Sequence, residues 1–286
     1  RYADVMDILV STRWLADRLG KPGLTILDAS AHLPAAQRDV AADFAAGHIP
    51  GAWLLDLPTL KDGTSPVPAA LPRAEQVEER LRALGVNAGD QVVLYDDSNL
   101  RSSARAYYIL RMVGVEHLAV LDGGLQKWRT EGHPLEIGTV AGQTGDFAML
   151  ADDREWVRSK AQMLANLDSG AEQVVDARDA ARFTATSEDM VHGLPGGHIP
   201  GSRHLFFRDV LADDGTFLDT AAIQARFARA GIDLDRPLVG TCGSGVTASV
   251  LLFAAELAGK RDAALYDGSW SEWGADPATP KETGEP

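Results

Sequence analysis

Cys242 is the only cysteine among the 286 residues and stands in the run Pro237-Leu-Val-Gly-Thr-Cys242-Gly-Ser-Gly-Val-Thr-Ala-Ser249, followed by the apolar stretch Val250 to Ala255. An apolar strand that delivers a thiol into a glycine-rich turn opening a helix can make a thiolate and hold an anion beside it, because backbone N–H groups and the positive helix end converge there. Such a turn needs residues without a Cβ, which Gly243 and Gly245 supply around Ser244. The plain alternative is a small core hydrophobe, the commonest fate of a lone cysteine. A core position has no use for the two glycines, so the pattern points to a sulfur nucleophile. With one cysteine, an intramolecular disulfide, a Cys-x-x-Cys pair and a cysteine-rich zinc site are ruled out, and any resolving thiol comes from another molecule.

The chain that must position this thiol is 45% hydrophobic and long enough for about two domains. Its formal charge of −14, from 27 basic and 41 acidic residues, and the lack of any lysine-arginine run beyond two residues disfavour nucleic acid as a partner. An anionic substrate then depends on local arginines and backbone dipoles. No apolar run approaches a membrane span, and the opening Arg1-Tyr-Ala-Asp-Val-Met lacks a signal-peptide core, so a cytoplasmic, non-membrane monomer is expected.

The sequence is written twice. Ile26-Leu-Asp-Ala-Ser30 recurs as Val174-Val-Asp-Ala-Arg178, and Gly47-His-Ile-Pro-Gly-Ala52 as Gly197-His-Ile-Pro-Gly-Ser202. Val92-Val-Leu-Tyr95 falls opposite Pro237-Leu-Val-Gly240, and Leu121-Asp-Gly-Gly-Leu-Gln-Lys-Trp128 opposite Tyr266-Asp-Gly-Ser-Trp-Ser-Glu-Trp273. In each half short β-branched runs alternate with segments of helical period, which predicts an α/β fold of two tandem domains, each a mostly parallel sheet flanked by helices. Strands are expected near Thr25–Asp28, Ala52–Leu55, Gln91–Tyr95 and Leu118–Leu121. Helices are expected near Thr12–Leu19 (capped by Ser11, stopped by Gly20), Arg73–Leu84, Ser102–Val113, Arg154–Asn166, Thr220–Ala230 and Thr247–Leu257. The division expected is an N-terminal domain over 1–137, a glycine- and threonine-rich linker over 138–150, and a C-terminal catalytic domain over 151–286. Alignment of the halves puts Asp97 opposite Cys242, followed by Ser98-Asn-Leu-Arg101 without the glycines. A carboxylate is no sulfur nucleophile, so the first half reads as a catalytically silent copy.

The paired Gly-His-Ile-Pro-Gly segments, Asp176-Ala-Arg178 and the loop Cys242-Gly-Ser-Gly-Val-Thr247 together resemble the rhodanese superfamily, in particular its two-domain 3-mercaptopyruvate branch, over about Ser11 to Gly274. The resemblance implies a sulfurtransferase in which Cys242 attacks the donor's sulfur, forms a persulfide and releases pyruvate. The outer sulfur then passes to thioredoxin, a low-molecular-weight thiol or cyanide, with no cofactor or metal besides the covalent persulfide. The uncharged Gly243, Ser244 and Gly245 suit a monocarboxylate donor better than dianionic thiosulfate, whose leaving sulfite favours nearby cations. By the same resemblance the N–H groups from Gly243 through Val246 to Thr247 stabilise the persulfide anion, and Arg182 binds the donor's carboxylate. Arg178 serves structural pairing, and Ser244 donates to the donor's carbonyl or enolate, with Asp39 and His48 as its linked partners. His48 also has a structural reading, since both halves carry that histidine and one carries the cysteine. Thr247 is expected as a helix-start hydroxyl that fixes the loop. Trp270 and Trp273 stand where parallel sheets put their crevices, as pocket wall or packing.

Val191 occupies the place where the resemblance expects a second arginine, leaving Arg182 with His192 as its only helper. Two other readings compete with a mercaptopyruvate enzyme: a thiosulfate sulfurtransferase, and a non-catalytic sulfur-carrier or docking module on the same fold. A Cys-x₅-Arg phosphatase or arsenate reductase needs an arginine six positions after the nucleophile, where this chain has Ala248.

Overall fold

The computed structural model describes residues 6–286, so Arg1-Tyr-Ala-Asp-Val5, where the sequence shows no leader-like core, lies outside the described residues. In the first half the order is β1 (Leu9–Val10), α1 (Thr12–Ala16), β2 (Leu24–Asp28), α2 (Val40–Ala46), β3 (Trp53–Leu54), α3 (Ala74–Ala83), β4 (Gln91–Tyr95), α4 (Ser103–Met112), β5 (His117–Leu121) and α5 (Gly124–Thr130). In the second it is β6 (Val157–Arg158), α6 (Lys160–Ser169), β7 (Gln173–Asp176), α7 (Ala180–Thr184), β8 (Arg203–His204), α8 (Thr220–Arg229), β9 (Leu238–Thr241), α9 (Val246–Leu257), β10 (Ala264–Tyr266) and α10 (Ser269–Trp273).

Each half folds into one five-stranded sheet, ordered β1-β5-β4-β2-β3 and β6-β10-β9-β7-β8. Every pairing is parallel, which goes beyond the mostly parallel sheet expected. The repeated motifs explain the matched registers: Asp28 pairs with Tyr95 in the first sheet, and Asp176 with Thr241 in the second. Central strands β4 and β9 are apolar and buried along most of their length because helices cover both faces. The largest buried residues are repeated as well, with Trp128 in one core and Trp273 in the other.

One helix start differs from expectation. The stretch from Arg154 begins with the edge strand β6, and α6 starts only at Lys160, where Ser159 accepts from the Gln162 amide and Gln162 returns the bond. That capping box sets the boundary, and Val157 is drawn into the sheet beside Leu265. The segment 138–150 carries no regular secondary structure. It is pinned nonetheless: the amides of Gly145, Phe147 and Leu150 donate to the carbonyls of Arg82, Val86 and Val113, and Phe147 is buried. The chain divides into two compact units, one holding the described residues through Lys61 with Leu71–Asp153 and Asp213–Thr216, the other Asp62–Ala70, Arg154–Ala212 and Phe217–Pro286.

Candidate active site

Cys242 stands just past the C-terminal end of β9, 2% exposed. Its loop is built by backbone that only small residues permit. Gly245 has φ +84° and serves as the N-cap of α9, whose twelve residues run under the sheet with Ala248 to Ala255 wholly buried. Its amide donates to Cys242 Sγ at 3.1 Å, so the sulfur sits at the amide-rich, positive end of a full-length helix. Gly240 lets α9 press against the strand, since a Cβ there would meet Leu252 at 2.4 Å.

The other side of the loop is tied to α10. The Cys242 amide donates to Ser269 Oγ at 3.1 Å, and Ser269 Oγ donates to the Tyr266 carbonyl at 2.8 Å. The Trp270 and Ser271 amides in turn donate to the carbonyls of Cys242 and Gly243. Ser269 adopts φ +50°, a left-handed conformation rare for a residue with a Cβ. The corresponding residue of the first half is Gly124, at φ +60°. The second half thus accepts backbone strain where the first avoids it, and gains a hydroxyl on the cysteine's own amide.

Ser244 and Thr247 are half-buried, and their hydroxyls have no hydrogen-bond partner among the described residues. This corrects the expectation for Thr247: the helix start is capped by Gly245 backbone, and the loop is braced by Ser249 Oγ donating to the Gly245 carbonyl at 2.8 Å.

A charged network lies alongside. Arg178 is fully buried, bonded to Asp176 at 2.7 Å and to the Gly197 carbonyl at 2.6 Å, with its guanidinium 4.6 Å over the Trp270 ring. Burial works to lower its pKa, but Asp176, then Asp189 and the Cys242 sulfur hold it above the usual arginine value. Arg182, on α7, bonds Asp179 at 2.6 Å and reaches Asp189 at 3.5 Å. Its Nη2 has no partner among the described residues. Asp189 gathers the cluster: its pairing with Leu194 closes a tight loop through Gly193 at φ +64°, and its carboxylate holds His192 Nδ1 at 3.0 Å. Burial pushes the Asp189 carboxyl up, yet the bond and charge of His192, then Arg182 and Arg178, bring it down to about 2. The His192 ring rests on the cysteine loop, since a Cβ on Gly243 would lie 2.2 Å from its Cε1. Val191 is a partly exposed neighbour carrying no charge.

Asp39 and His48 belong to the first unit and are already committed there. Asp39 caps α2, accepting from the Ala41 and Ala42 amides. His48 stacks on Phe44 at 3.9 Å and bonds its carbonyl at 2.8 Å, and His198 does the same with Phe183 at 3.8 and 2.9 Å. Each histidine also faces a glutamate at 3.6 Å, Glu136 or Glu282, whose backbone bridges to it. The strand registers correct the sequence alignment by one residue: Tyr95 matches Thr241, and the Leu125 amide donates to the Asp96 carbonyl as that of Trp270 donates to Cys242, so the cysteine's counterpart is Asp96, not Asp97. Asp96 is a buried carboxylate that accepts from the Ser98 and Ser103 amides, and Asp97 beside it is clamped by Arg38 at 3.0 Å and Arg129 at 2.9 Å. Trp270 and Trp273 are both core residues whose indole N–H groups donate to the Pro195 and Pro280 carbonyls, and Trp270 also lies against the Arg178 guanidinium.

The sequence reading overlooked Asp189 and Ser269. Asp189 carries a weak signal, standing three residues before His192 in a loop that closes on itself. Ser269 carries a better one, a serine in the place of a glycine between two aligned Asp-Gly turns. Among the described residues no group of three or more His, Cys, Asp or Glu is placed to hold a metal ion, and no helix is long and apolar enough to cross a membrane.

Comparison with known proteins matches this architecture. The rhodanese-like domain family matches residues 11–131 and again 159–276. The 3-mercaptopyruvate sulfurtransferase of Escherichia coli K12 is 39% identical over 274 residues, 96% of this chain and 97% of that protein. The thiosulfate sulfurtransferase of Cricetulus griseus is 37% identical over 272 residues, 93% of this chain and 91% of that protein. The crystal structure of SseA, a 3-mercaptopyruvate sulfotransferase from Escherichia coli, superposes with a TM-score of 0.84 at 37% identity, covering 93% of this chain and 99% of that one. With two matched copies of the domain and these relatives over nearly its whole length, the chain belongs to the rhodanese family as a tandem, two-domain member.

Proposed function

We propose that this protein is a 3-mercaptopyruvate sulfurtransferase that carries sulfane sulfur on Cys242 to a thiol or cyanide acceptor. The observation that carries this reading is the uncharged loop Gly243–Val246 wrapped around a sulfur that already accepts the Gly245 N–H. The Cys242 thiolate attacks the donor's sulfur: an S–S bond forms, the C–S bond breaks, and its electron pair passes to the enolate of pyruvate. The donor's thiol proton enters with the sulfur, and its transfer to the enolate carbon yields pyruvate and leaves the persulfide as an anion. Loop amides and the α9 dipole hold that anion.

Arg182, with its unpartnered Nη2, is the carboxylate holder, and the unpartnered hydroxyls of Ser244 and Thr247 are donors for the carbonyl and enolate oxygen. Arg178 is buried in pairing and supports the site from behind. In the second half-reaction an acceptor such as thioredoxin, a small thiol or cyanide attacks the outer sulfur, the S–S bond breaks, and the Cys242 thiolate returns. We assign Asp39 and His48 to the scaffold of the first unit, on the bonds each makes there. Turnover on mercaptopyruvate and on thiosulfate at equal concentration, with cyanide as acceptor, tests the donor. A clear preference for mercaptopyruvate is expected, and a preference for thiosulfate overturns the assignment.

A further inference from the structure

We propose that His192 is the donor site's second anion-holding group, a protonation-dependent cation that makes donor affinity fall as pH rises. The inference deepens the sulfurtransferase reading and rests on it for the identity of the donor, a monoanionic 2-oxo acid. Four observations carry it. The ring lies on the backbone of Gly243, the residue after the nucleophile, so close that a Cβ there would be 2.2 Å from Cε1 and 2.9 Å from Nε2. Its Nδ1 is engaged by the buried Asp189 carboxylate at 3.0 Å, which fixes the ring and leaves Nε2 to meet a ligand. Nε2 has no partner among the described residues, and the side chain is 17% exposed, open enough for a ligand to reach. The loop residues Gly243 to Val246 carry no charge of their own, so an ionisable ring on this loop changes the field at the donor more than any surface group.

The charged groups around the ring are accounted for. Asp189 faces it from its own loop, Arg182 of α7 and Arg178 after β7 approach the same carboxylate at 3.5 Å, and the Cys242 sulfur belongs to the loop beneath. Asp189 therefore joins His192 and Arg182 into one fixed pair of donors. With Nδ1–H given to Asp189, the neutral ring offers Nε2 as an acceptor that faces a carboxylate unfavourably. Protonation converts it to an N–H donor.

The test separates binding from sulfur transfer. Pyruvate shares the oxo-acid skeleton but has no sulfur to give, so its affinity for the full-length protein is measured by calorimetry at about pH 6 and about pH 8.5, on either side of the ordinary imidazole value of about 6.5. Wild type should bind roughly tenfold more tightly at the lower pH, the worth of one charge-assisted hydrogen bond. His192→Gln should bind weakly and equally at both, and His192→Arg should bind equally at both and more tightly than His192→Gln. The KM for mercaptopyruvate should follow the same order. Wild-type pyruvate binding that is undetectable or flat with pH, or unchanged in His192→Gln, overturns the proposal. Failure of the parent reading shows elsewhere, as mercaptopyruvate that adds no sulfur to Cys242 in wild type.

Discussion

The Gly245 amide points at Cys242 Sγ from 3.1 Å while its own φ of +84° keeps α9 from starting one residue earlier. The two properties are linked, because the left-handed turn is what swings the N–H back towards the sulfur. Gly245→Ala should cost roughly 1–2 kcal/mol of stability for a Cβ in this conformation. It should also slow persulfide formation by at least about tenfold as the donor moves off the sulfur. Urea unfolding and single-turnover sulfur transfer check the two effects separately.

Ser269 should reveal a trade between stability and activity. Ser269→Gly relieves the strain of φ +50° and so should leave stability unchanged or raise it by about 1 kcal/mol, offset by the loss of its bonds. The same variant frees the Cys242 amide and should lower the transfer rate roughly tenfold. A variant that loses stability and keeps its rate would show that Ser269 serves only the fold.

His48 and His198 should behave alike. Each is stacked on a phenylalanine and bonded to its carbonyl, so His48→Gln and His198→Gln should each cost on the order of 1–3 kcal/mol. Thermal melts check the cost, and single-turnover sulfur transfer at a temperature where His48→Gln is folded should match wild type. A large loss of rate in folded His48→Gln would restore the chemical role that the family resemblance suggested.

Asp28 makes stability depend on pH. Its carboxyl is pushed up to about 6 by burial, with the Asp96 charge adding and the Ser30 bonds opposing. A folded-state pKa above the unfolded 3.8 favours the neutral form, so its contribution is fully present below about pH 3.8 and is lost as pH rises through about 6, by about 3 kcal/mol in all. In the second half the equivalent Asp176 has Arg178 for a partner where Asp28 has Ser30. Unfolding free energies measured from about pH 5 to about pH 8 should fall less steeply in Asp28→Asn than in wild type. Equal slopes would contradict the assignment.

Much of this was legible beforehand because the repeat made the chain its own control. A carboxylate in the first half where the second has Cys242 marked one half as chemically equipped, although the strand register makes that carboxylate Asp96 and not the Asp97 of the sequence alignment, and the duplicated Gly-His-Ile-Pro-Gly segments pointed to the two-domain α/β fold. What stayed hidden was tertiary. The capping box at Ser159 moved a helix start by six residues, since apolar Val157 suits a helix face and an edge strand equally well. Thr247 has the residue type of a cap, but the left-handed Gly245 takes that place. Asp189 and His192 stand fifty or more positions before Cys242, and no spacing rule says that their loop folds back on Gly243.

The central claim is that the transferred sulfur rides on Cys242, and intact-protein mass spectrometry after exposure to mercaptopyruvate without acceptor tests it most directly. The account predicts a species one sulfur atom heavier, localised to the peptide containing Cys242, absent from Cys242→Ser and discharged by a thiol or by cyanide. A wild-type protein that turns over mercaptopyruvate yet never carries the extra sulfur, or a Cys242→Ser variant that still carries it, would contradict the account.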